Sequence, residues 1–329
     1  MGERSCPACG GELAWWRPAT PADPTVEEGP GTYALERCVE CGTAITVRTG
    51  PSGETSESLA ELYEGGYYAR PPGLLDRLIE PLRRIADRGR AKRLGPVESE
   101  RVVEFGAGDG RLLEYVAGKG ASVTGVEPSG SARQRAAERG IDLYPDLDRA
   151  GLEPESVDLI VAWHVLEHLV DPASDLRRLR ALLRPGGRLV ISVPNIASLQ
   201  ARIGADSWFG QDVPRHLAHF TPAGIEAIAR RTGLGLEAVG YWSLEQNPFG
   251  MWQTLVNRAS GSRDVIFRVI KGQPLGESAS SKAASILGLV MALPVLLIAV
   301  PLEIVASAFR SGGTLTATLR RASEGEADR

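Results

Sequence analysis

The spacing of apolar residues divides the chain into several parts. From residue 101 onward, short apolar runs alternate with segments that carry apolar residues at helical spacing. The runs predict strands at 101–105, 122–127, 141–144, 157–163, 188–193, 236–242 and 314–319. The pattern between them predicts helices at 111–119, 129–139, 172–183 and 222–231. This alternation is typical of an α/β fold with a doubly wound sheet, whose ligands bind at the carboxyl ends of the strands.

An uncharged aliphatic run, residues 283–302, lies between the last two predicted strands. As a helix it would extend about 30 Å, the thickness of the hydrocarbon core of a bilayer. We expect the two flanking strands to be neighbours in one sheet, so a single membrane crossing is excluded. Because Pro294 and Pro301 argue against a straight helix, the run predicts a broken or shallow membrane hairpin, bent near Pro294 and approached through interfacial residues 246–271. The alternative is a helix in a buried core or a partner interface.

Turn-rich and polar segments predict the domain boundaries. Residues 1–50 would form a small amino-terminal module, followed by a linker at 51–73. The main domain would span 74–322 and carry the apolar insert at 246–311. The polar tail at 323–329 is expected to be disordered.

The net charge and the amino-terminal sequence indicate which partners and which cellular compartment to expect. The net charge of −4 over 329 residues gives no general electrostatic reason to expect nucleic acid or an anionic membrane as a partner. The first residues are polar and contain no apolar stretch of the length found in secretory signals. Together with the cysteine pattern described next, this favours a reducing cytoplasm.

All four cysteines lie in two C-x-x-C pairs, Cys6 with Cys9 and Cys38 with Cys41, and glycine follows each pair. This spacing favours one tetrahedral zinc ion over disulfides. Glycine permits the tight turn that directs backbone N–H groups at the sulfurs. Four thiolate ligands leave no open coordination position, so the predicted zinc is structural and not catalytic.

A glycine-rich segment follows the first strand of the main domain, where residues 104–110 read Glu-Phe-Gly-Ala-Gly-Asp-Gly. A dinucleotide site requires a further glycine where this chain has Arg111. The acidic Glu104 would also repel a diphosphate at the end of the strand. The segment instead suits a cationic ligand with a small part that contacts the backbone.

This segment and several later ones resemble the class I S-adenosylmethionine-dependent methyltransferases over roughly residues 63–322. Residues 104–110 are similar to the first motif of that superfamily, 126–128 to the end of its second strand, 157–169 to its fourth strand and the helix after it, and 182–187 to the turn into its fifth strand. The resemblance implies a Rossmann-like methyltransferase sheet and S-adenosylmethionine as the methyl donor. It places the following residues around the donor, with the second acidic residue on the ribose hydroxyls: Glu104, Gly106, Gly108, Gly110, Glu127, Pro128 and His164.

The segment 212–222 resembles the branch of ubiquinone-type and envelope-sugar methyltransferases. Zinc-knuckled amino termini also occur among sugar methyltransferases. With the apolar insert, the resemblance predicts an enzyme at the cytoplasmic face of the cell membrane, peripheral or monotopic, that methylates a hydroxyl of a lipid-linked or cell-envelope saccharide or small molecule. The alternatives are a soluble nucleotide-sugar C- or O-methyltransferase and a non-catalytic scaffold protein that binds S-adenosylmethionine.

The histidines are the candidate bases, because methyl transfer to a hydroxyl requires an in-line acceptor and removal of its proton. His168 is predicted to begin the helix after the fourth strand and to face the donor crevice, where it acts as the base or makes a structural hydrogen bond. His216 lies in a segment that is predicted to cover the substrate and is the other candidate. His219 either packs beside Phe220 or takes part in the chemistry, and His164 is structural or contacts the donor.

Residues 164–168 also match the H-x-x-E-H pattern of a family of zinc proteases. That pattern requires both histidines on one helix, whereas His164 is predicted to end a strand. Some ubiquinone-type relatives bind a divalent metal near this position through an extra glutamate, where this chain has His164. Metal binding is therefore not predicted there.

Overall fold

The computed structural model describes residues 4–21, 32–49, 74–275 and 278–322. The predicted linker and tail, at 51–73 and 323–329, lie outside the described residues. The chain divides into two compact units, each built from separate stretches. The sheet unit comprises Ser56–Val193, Ile225–Val239 and Thr316–Arg329, and the cysteine unit comprises Met1–Thr55, Pro194–Gly224 and Gly240–Leu315.

Strands and helices alternate through most of the described chain. The strands are β1 (Leu13–Ala19), β2 (Tyr33–Cys38), β3 (Ala44–Arg48), β4 (Arg101–Phe105), β5 (Ser122–Val126), β6 (Leu143–Tyr144), β7 (Val157–Trp163), β8 (Leu183–Pro194), β9 (Ala218–His219), β10 (Leu234–Gly240) and β11 (Thr314–Arg321). The helices are α1 (Leu74–Arg93), α2 (Arg111–Ala117), α3 (Gly130–Glu138), α4 (Pro172–Leu182), α5 (Leu199–Gly204), α6 (Pro222–Arg231), α7 (Gln246–Ser260), α8 (Val265–Lys271) and α9 (Ala279–Ala308).

A seven-stranded sheet in the order β10-β11-β8-β7-β4-β5-β6 forms the centre of the sheet unit. The pairs β4–β5, β4–β7, β5–β6 and β7–β8 are parallel. The chain proceeds outward from β4 to β6 and then returns to the other side of β4 with β7, so the strand order reverses between β4 and β7. In such sheets the crevice at the carboxyl ends of the two strands is the usual ligand site. The predicted α/β fold is confirmed.

Apolar side chains on β4, β7 and α2 form the core of this unit. Leu159 and Val161 of β7 are fully buried and pack with Val102 of β4 and with Leu113 and Val116 of α2. A central parallel strand covered on both faces is apolar throughout, which explains the continuous run in β7. The core thus fixes the ends of β4 and β7 next to each other.

Two helices begin at a side-chain cap. The side chain of Ser129 accepts a hydrogen bond from the amide of Ala132 at the start of α3, and that of Asp171 accepts one from Ser174 at the start of α4. One prediction is wrong: His168 does not begin a helix. It ends a short 3-10 turn, Leu166–His168, and α4 begins at Pro172, where Asp171 supplies the cap.

A four-stranded sheet in the order β1-β2-β3-β9 organises the cysteine unit. The pairing is antiparallel, and β9 adds to β3 through Ala44 opposite His219 and Ile45 opposite Ala218. Leu35 of β2 and Ala44 of β3 share an apolar core with Trp208 and Val213. The amino-terminal strands therefore form one sheet with a segment far along the chain.

The apolar insert forms helices that differ from the predicted hairpin. α9 continues through Pro294 and Pro301 as one helix, and both prolines are exposed. Each proline removes one backbone hydrogen bond, but packing along the other face of α9 keeps the helix continuous. Residues 246–271 form α7 and α8, in which Met251 and Val256 are fully buried, so they are not an interfacial approach.

Candidate functional site

The turn between β4 and α2 depends on glycine. Gly106, Gly108 and Gly110 all have positive φ, at 79°, 54° and 74°, a conformation that other residues adopt only with strain. A Cβ at Gly106 would lie 2.4 Å from the side chain of Val165. The glycines therefore permit both the turn and the close approach of the segment that follows β7.

Glu127 connects this turn to the start of α3. It is the first residue after β5, is 8% exposed, and accepts hydrogen bonds from the amides of Gly108 and Ser129, each at 2.9 Å. The guanidinium of Arg133 donates to the carbonyls of Glu127 and Pro128 at 2.7 and 2.6 Å. A carboxylate offers about four acceptor positions, so two remain for hydroxyl groups of a ligand.

Glu104 is a buried carboxyl near the end of β4. It is 3% exposed, and its Oε2 has no hydrogen-bond partner among the described residues. Burial raises the pKa of Glu104 to about 8; Arg90 opposes this shift, whereas the charges of Asp109, Asp87 and Glu127 add to it. The group is therefore mostly protonated at pH 7 and offers a hydrogen bond to a ligand, so the expectation that its negative charge repels a diphosphate is wrong.

Two further polar atoms without partners lie at the end of β7. Trp163 Nε1 and His164 Nε2 are buried and make no hydrogen bond within the part of the chain that the structure describes. His164 has a φ of 55°, and its Nδ1 lies 3.0 Å from Glu167 Oε1. Buried polar groups are nearly always paired, so three orphaned atoms at the ends of two adjacent strands indicate a polar ligand. Sequence reasoning missed Trp163, although a tryptophan that ends an apolar strand at a ligand edge was a usable signal.

His168 follows in the same turn as His164. Its amide donates to the carbonyl of Val165 at 2.9 Å, and the residue is partly exposed. It belongs to the sheet unit, as do Glu104 and Glu127. The sheet unit therefore holds every residue predicted to contact the donor and one of the two predicted bases.

The four cysteines of the cysteine unit come together. Their sulfur atoms all lie within 4.8 Å of one another, with 3.5 Å between Cys6 and Cys41 and 3.3 Å between Cys9 and Cys38. These distances are too long for disulfide bonds, which are about 2.05 Å, and the thiols are free. Burial raises the pKa of the Cys6 and Cys9 thiols. Four thiolates this close together would repel one another, so they require a nearby cation.

The segment with His216 and His219 is attached to the cysteine strands. The amide of Thr46 donates to the carbonyl of Leu217 at 2.9 Å, and its hydroxyl donates to the carbonyl of His216 at 2.6 Å. The same hydroxyl lies 3.0 Å from His219 Nε2. Because its single hydrogen is already used, the hydroxyl accepts from His219 Nε2–H. Thr221 donates to the carbonyl of Cys41 at 2.6 Å.

The tautomer of His216 follows from its surroundings. Its Nδ1 lies 2.9 Å from the carbonyl of Gly210, which only accepts, so Nδ1 carries the proton. In the neutral ring, Nε2 then holds the lone pair. His216 Nε2 lies 3.9 Å from Asp212 Oδ2, and His219 is held by Thr46.

A protein-family model described as a methyltransferase domain matches residues 74–239, which are 166 of the 329 residues. The chain belongs to this methyltransferase family. The predicted enzyme class, a methyltransferase that uses S-adenosylmethionine, is confirmed. The match leaves out the cysteines and the helices α7, α8 and α9.

Curated relatives are similar to part of this chain. The ubiquinone biosynthesis O-methyltransferase of Aeromonas salmonicida is 37% identical over 155 residues, which are 43% of this chain and 65% of the relative. The protein of the same name in Pseudomonas aeruginosa is 32% identical over 173 residues, covering 48% of this chain and 73% of the relative. The chain thus spans less than two thirds of the Aeromonas protein.

Among solved structures, an S-adenosylmethionine-dependent methyltransferase from Mesorhizobium loti aligns over 72% of this chain and 98% of its own, with 20% identity and a TM-score of 0.44.

The raised pKa of Glu104 predicts that stability depends on pH. The unfolded carboxyl titrates near 4.5, so between that value and about 8 the folded protein holds a proton that the unfolded protein has lost. Stability therefore falls as pH rises through this window. Glu104→Gln should remove the fall and, at pH 8.5, exceed the wild type by on the order of a few kcal/mol. Urea unfolding at pH 5 and pH 8.5 measures it, with the exposed Glu114→Gln as control. Equal pH dependence of wild type and Glu104→Gln would refute the assignment.

Proposed function

We propose that the protein transfers a methyl group from S-adenosylmethionine to a hydroxyl oxygen of a small-molecule acceptor. The observation that carries the proposal is the set of polar atoms at the carboxyl ends of β4, β5 and β7, within the matched methyltransferase domain. The names of the curated relatives, which specify O-methyl transfer, support the choice of oxygen over carbon or nitrogen.

The donor would occupy the crevice of the sheet unit. The glycine turn after β4 allows the methionyl part to approach the backbone of Gly106 and Gly108. The remaining acceptor positions of Glu127 suit the two ribose hydroxyls, and Pro128 follows it into α3. Protonated Glu104 and the N–H of Trp163 supply donors, and His164 Nε2 supplies a further polar contact. Gly110 acts indirectly, since a Cβ there would lie 3.1 Å from Ala136 of α3.

When bound, the donor supplies an electrophilic methyl group on a sulfonium. The chain has to hold the acceptor oxygen in line with that methyl and take up the hydroxyl proton as the C–O bond forms and the C–S bond breaks. Positioning contributes up to about 7–11 kcal/mol in such reactions. His168 lies just beyond the end of β7 in the sheet unit, and His216 carries a lone pair on Nε2. Each of these two histidines is proposed as a candidate for the base that takes up the proton.

The proposed acceptor is a lipid-linked or cell-envelope saccharide or a related small molecule. The proposed place of the reaction is the cytoplasmic face of the membrane. Support for this finer assignment comes from the apolar helix α9, which is long and apolar enough to meet a membrane.

We further propose that the four cysteines bind one structural zinc ion. Ideal tetrahedral geometry with Zn–S bonds of about 2.3 Å separates the sulfurs by about 3.8 Å, close to the distances observed. The amide of Gly11 points at Cys9 Sγ from 3.4 Å, the kind of contact that stabilises thiolates at such sites. The ion would hold together the strands on which Thr46 and the His216 segment depend.

The donor site predicts a specific loss of affinity. Glu127→Gln should weaken binding of S-adenosylmethionine about 10- to 150-fold, because a charged acceptor for the ribose hydroxyls is lost. Titration calorimetry measures it. Ser129→Ala, which removes the α3 cap but keeps the carboxylate, is the matched control. Unchanged affinity in Glu127→Gln would contradict the donor site. Gly106→Val is a poor probe, since the new side chain would collide with Val165.

The base assignment predicts a loss of turnover without a loss of donor binding. His168→Ala or His216→Ala should lower turnover by about 10²- to 10⁴-fold. Labelled donor with fractionated lipid and sugar-nucleotide extracts gives the activity, and calorimetry gives the affinity. His219→Asn, at a ring held by Thr46, is the comparison. A variant that loses donor affinity to the same extent as turnover identifies its histidine as structural.

The zinc site predicts one metal equivalent per chain, released by Cys38→Ser. Loss of the metal should increase amide hydrogen exchange across 214–222, because β3 and the carbonyl of Cys41 hold that segment. Elemental analysis and exchange mass spectrometry measure the two effects independently of activity. Full metal occupancy in the double variant Cys6→Ser with Cys38→Ser would rule out this site.

A further inference from the structure

The long helix α9 has mostly small and polar residues on its packed face and large apolar residues on its exposed face. The positions that pack on the rest of the cysteine unit hold mostly small or polar residues, namely Ser285, Gly288, Ala292, Ala299, Glu303 and Ala306, with Val295 as the one large aliphatic residue in the packed cluster. The exposed positions hold large aliphatic residues, namely Ile286, Leu287, Leu289, Val290, Leu293, Leu297, Ile298, Ile304 and Val305, and the exposed Phe309 follows as the carboxyl-terminal cap. Val290 and Leu297 are each 71% exposed. A surface helix in water has the opposite arrangement, whereas small residues at helix contacts are typical of helices in lipid.

The inner face of α9 is covered along most of its length. Near its start, Ser285 Oγ lies 3.2 Å from Ser262 Oγ, and a Cβ on Gly288 would lie only 2.9 Å from Val265. In the middle, Trp252 Nε1 donates to the carbonyl of Ala292 at 2.6 Å. α7 and α8 therefore occupy this face, and the large side chains opposite remain uncovered within the described residues.

A polar contact closes the other end of the inner face. Glu303 is fully buried and accepts hydrogen bonds from Asn247 Nδ2 at 2.6 Å and from the amide of Gly313 at 2.9 Å. α7, which supplies Asn247, is itself bound to the unit, since the hydroxyl of Thr254 accepts from the amide of Phe209 at 3.1 Å. A helix fixed to a folded, polar unit from Ser285 to Glu303 cannot have lipid on all sides.

We propose that α9 lies in the plane of a lipid bilayer, with its outer face in the boundary between headgroups and acyl chains and its inner face on the cysteine unit. A helix of 30 residues is about 45 Å long and exceeds the hydrocarbon thickness, but in-plane binding sets no such limit. The exposed charges of α9 and its immediate flanks from 279 to 310 are Lys282 and Arg310, both positive and at opposite ends. Such ends complement anionic headgroups.

This proposal deepens the membrane part of the proposed function and does not depend on the identity of the acceptor. Donor binding belongs to the sheet unit, so the two can fail separately. The occupant of the exposed face is taken to be lipid and not a second copy of the chain, because cationic ends around a continuous aliphatic face match a bilayer better than they match themselves.

The first experiment is flotation of full-length protein with vesicles of phosphatidylcholine, with and without phosphatidylglycerol. The wild type should float with both and more strongly with the anionic vesicles. Leu293→Glu should lower the bound fraction at least tenfold, whereas Ile85→Glu, at an exposed aliphatic residue of α1, should not. Leu293→Glu should keep the circular dichroism spectrum and the melting temperature of the wild type, which shows that the unit carrying α9 is folded, and calorimetry with S-adenosylmethionine should give unchanged affinity in the sheet unit.

Two outcomes would overturn the proposal. Wild-type protein that stays unbound and forms a dimer, which Leu293→Glu converts to a monomer, would assign the face to a second copy. The second concerns orientation: in membrane vesicles from expressing cells, Lys282→Cys and Arg310→Cys should both react with an impermeant maleimide from the same side, above the wild-type background. Labelling from opposite sides would mean that α9 crosses the bilayer.

Discussion

The carboxylate of Glu127 accepts hydrogen bonds from the amides of Gly108 and Ser129, and these two bonds join the turns that follow two neighbouring parallel strands. Both turns begin helices, and their amides would otherwise be unpaired at the edge of the sheet. The same side chain thus orders the glycine turn and keeps acceptor positions directed at a ligand. Orphaned Glu104, Trp163 and His164 lie at the ends of the adjacent strands, so the ordered turn and the unsatisfied groups define one crevice.

Local sequence was sufficient wherever one residue type determines the backbone. Ser129 and Asp171 cap their helices, and the glycines after β4 adopt the left-handed conformation that only glycine adopts without strain. The crevice could therefore be predicted, because parallel strands bring the ends of β4, β5 and β7 together wherever the chain alternates in this way. The position of Trp163 at the end of an apolar strand was visible in the sequence, but only the tertiary structure shows that its N–H lacks a partner among the described residues.

The course of α9 and the pairing of the cysteine strands depend on tertiary contacts, so the sequence could not predict them. The prolines of α9 predicted a break, but packing against α7 and α8 outweighs two missing backbone hydrogen bonds. The cysteine spacing predicted the cluster of sulfurs, yet nothing in residues 1–50 shows that β3 pairs with β9. That pairing connects the cysteine strands to His216 and His219 through Thr46, a residue with no distinctive motif. The predicted domain boundaries remain a prediction.

Glu303 explains why α9 has a defined outer face. A helix that is apolar on every side has no preferred rotation about its axis, because turning it exchanges one aliphatic side chain for another. The first charged residue after the aliphatic run removes this degeneracy, since its carboxylate is paired only when it faces Asn247 and Gly313. Rotating the helix by one residue, about 100°, would take this acceptor away from the buried amide of Gly313, at a cost of about 1–3 kcal/mol. The buried carboxylate therefore selects the small residues as the inner face, and the large aliphatic residues are directed outward as a consequence.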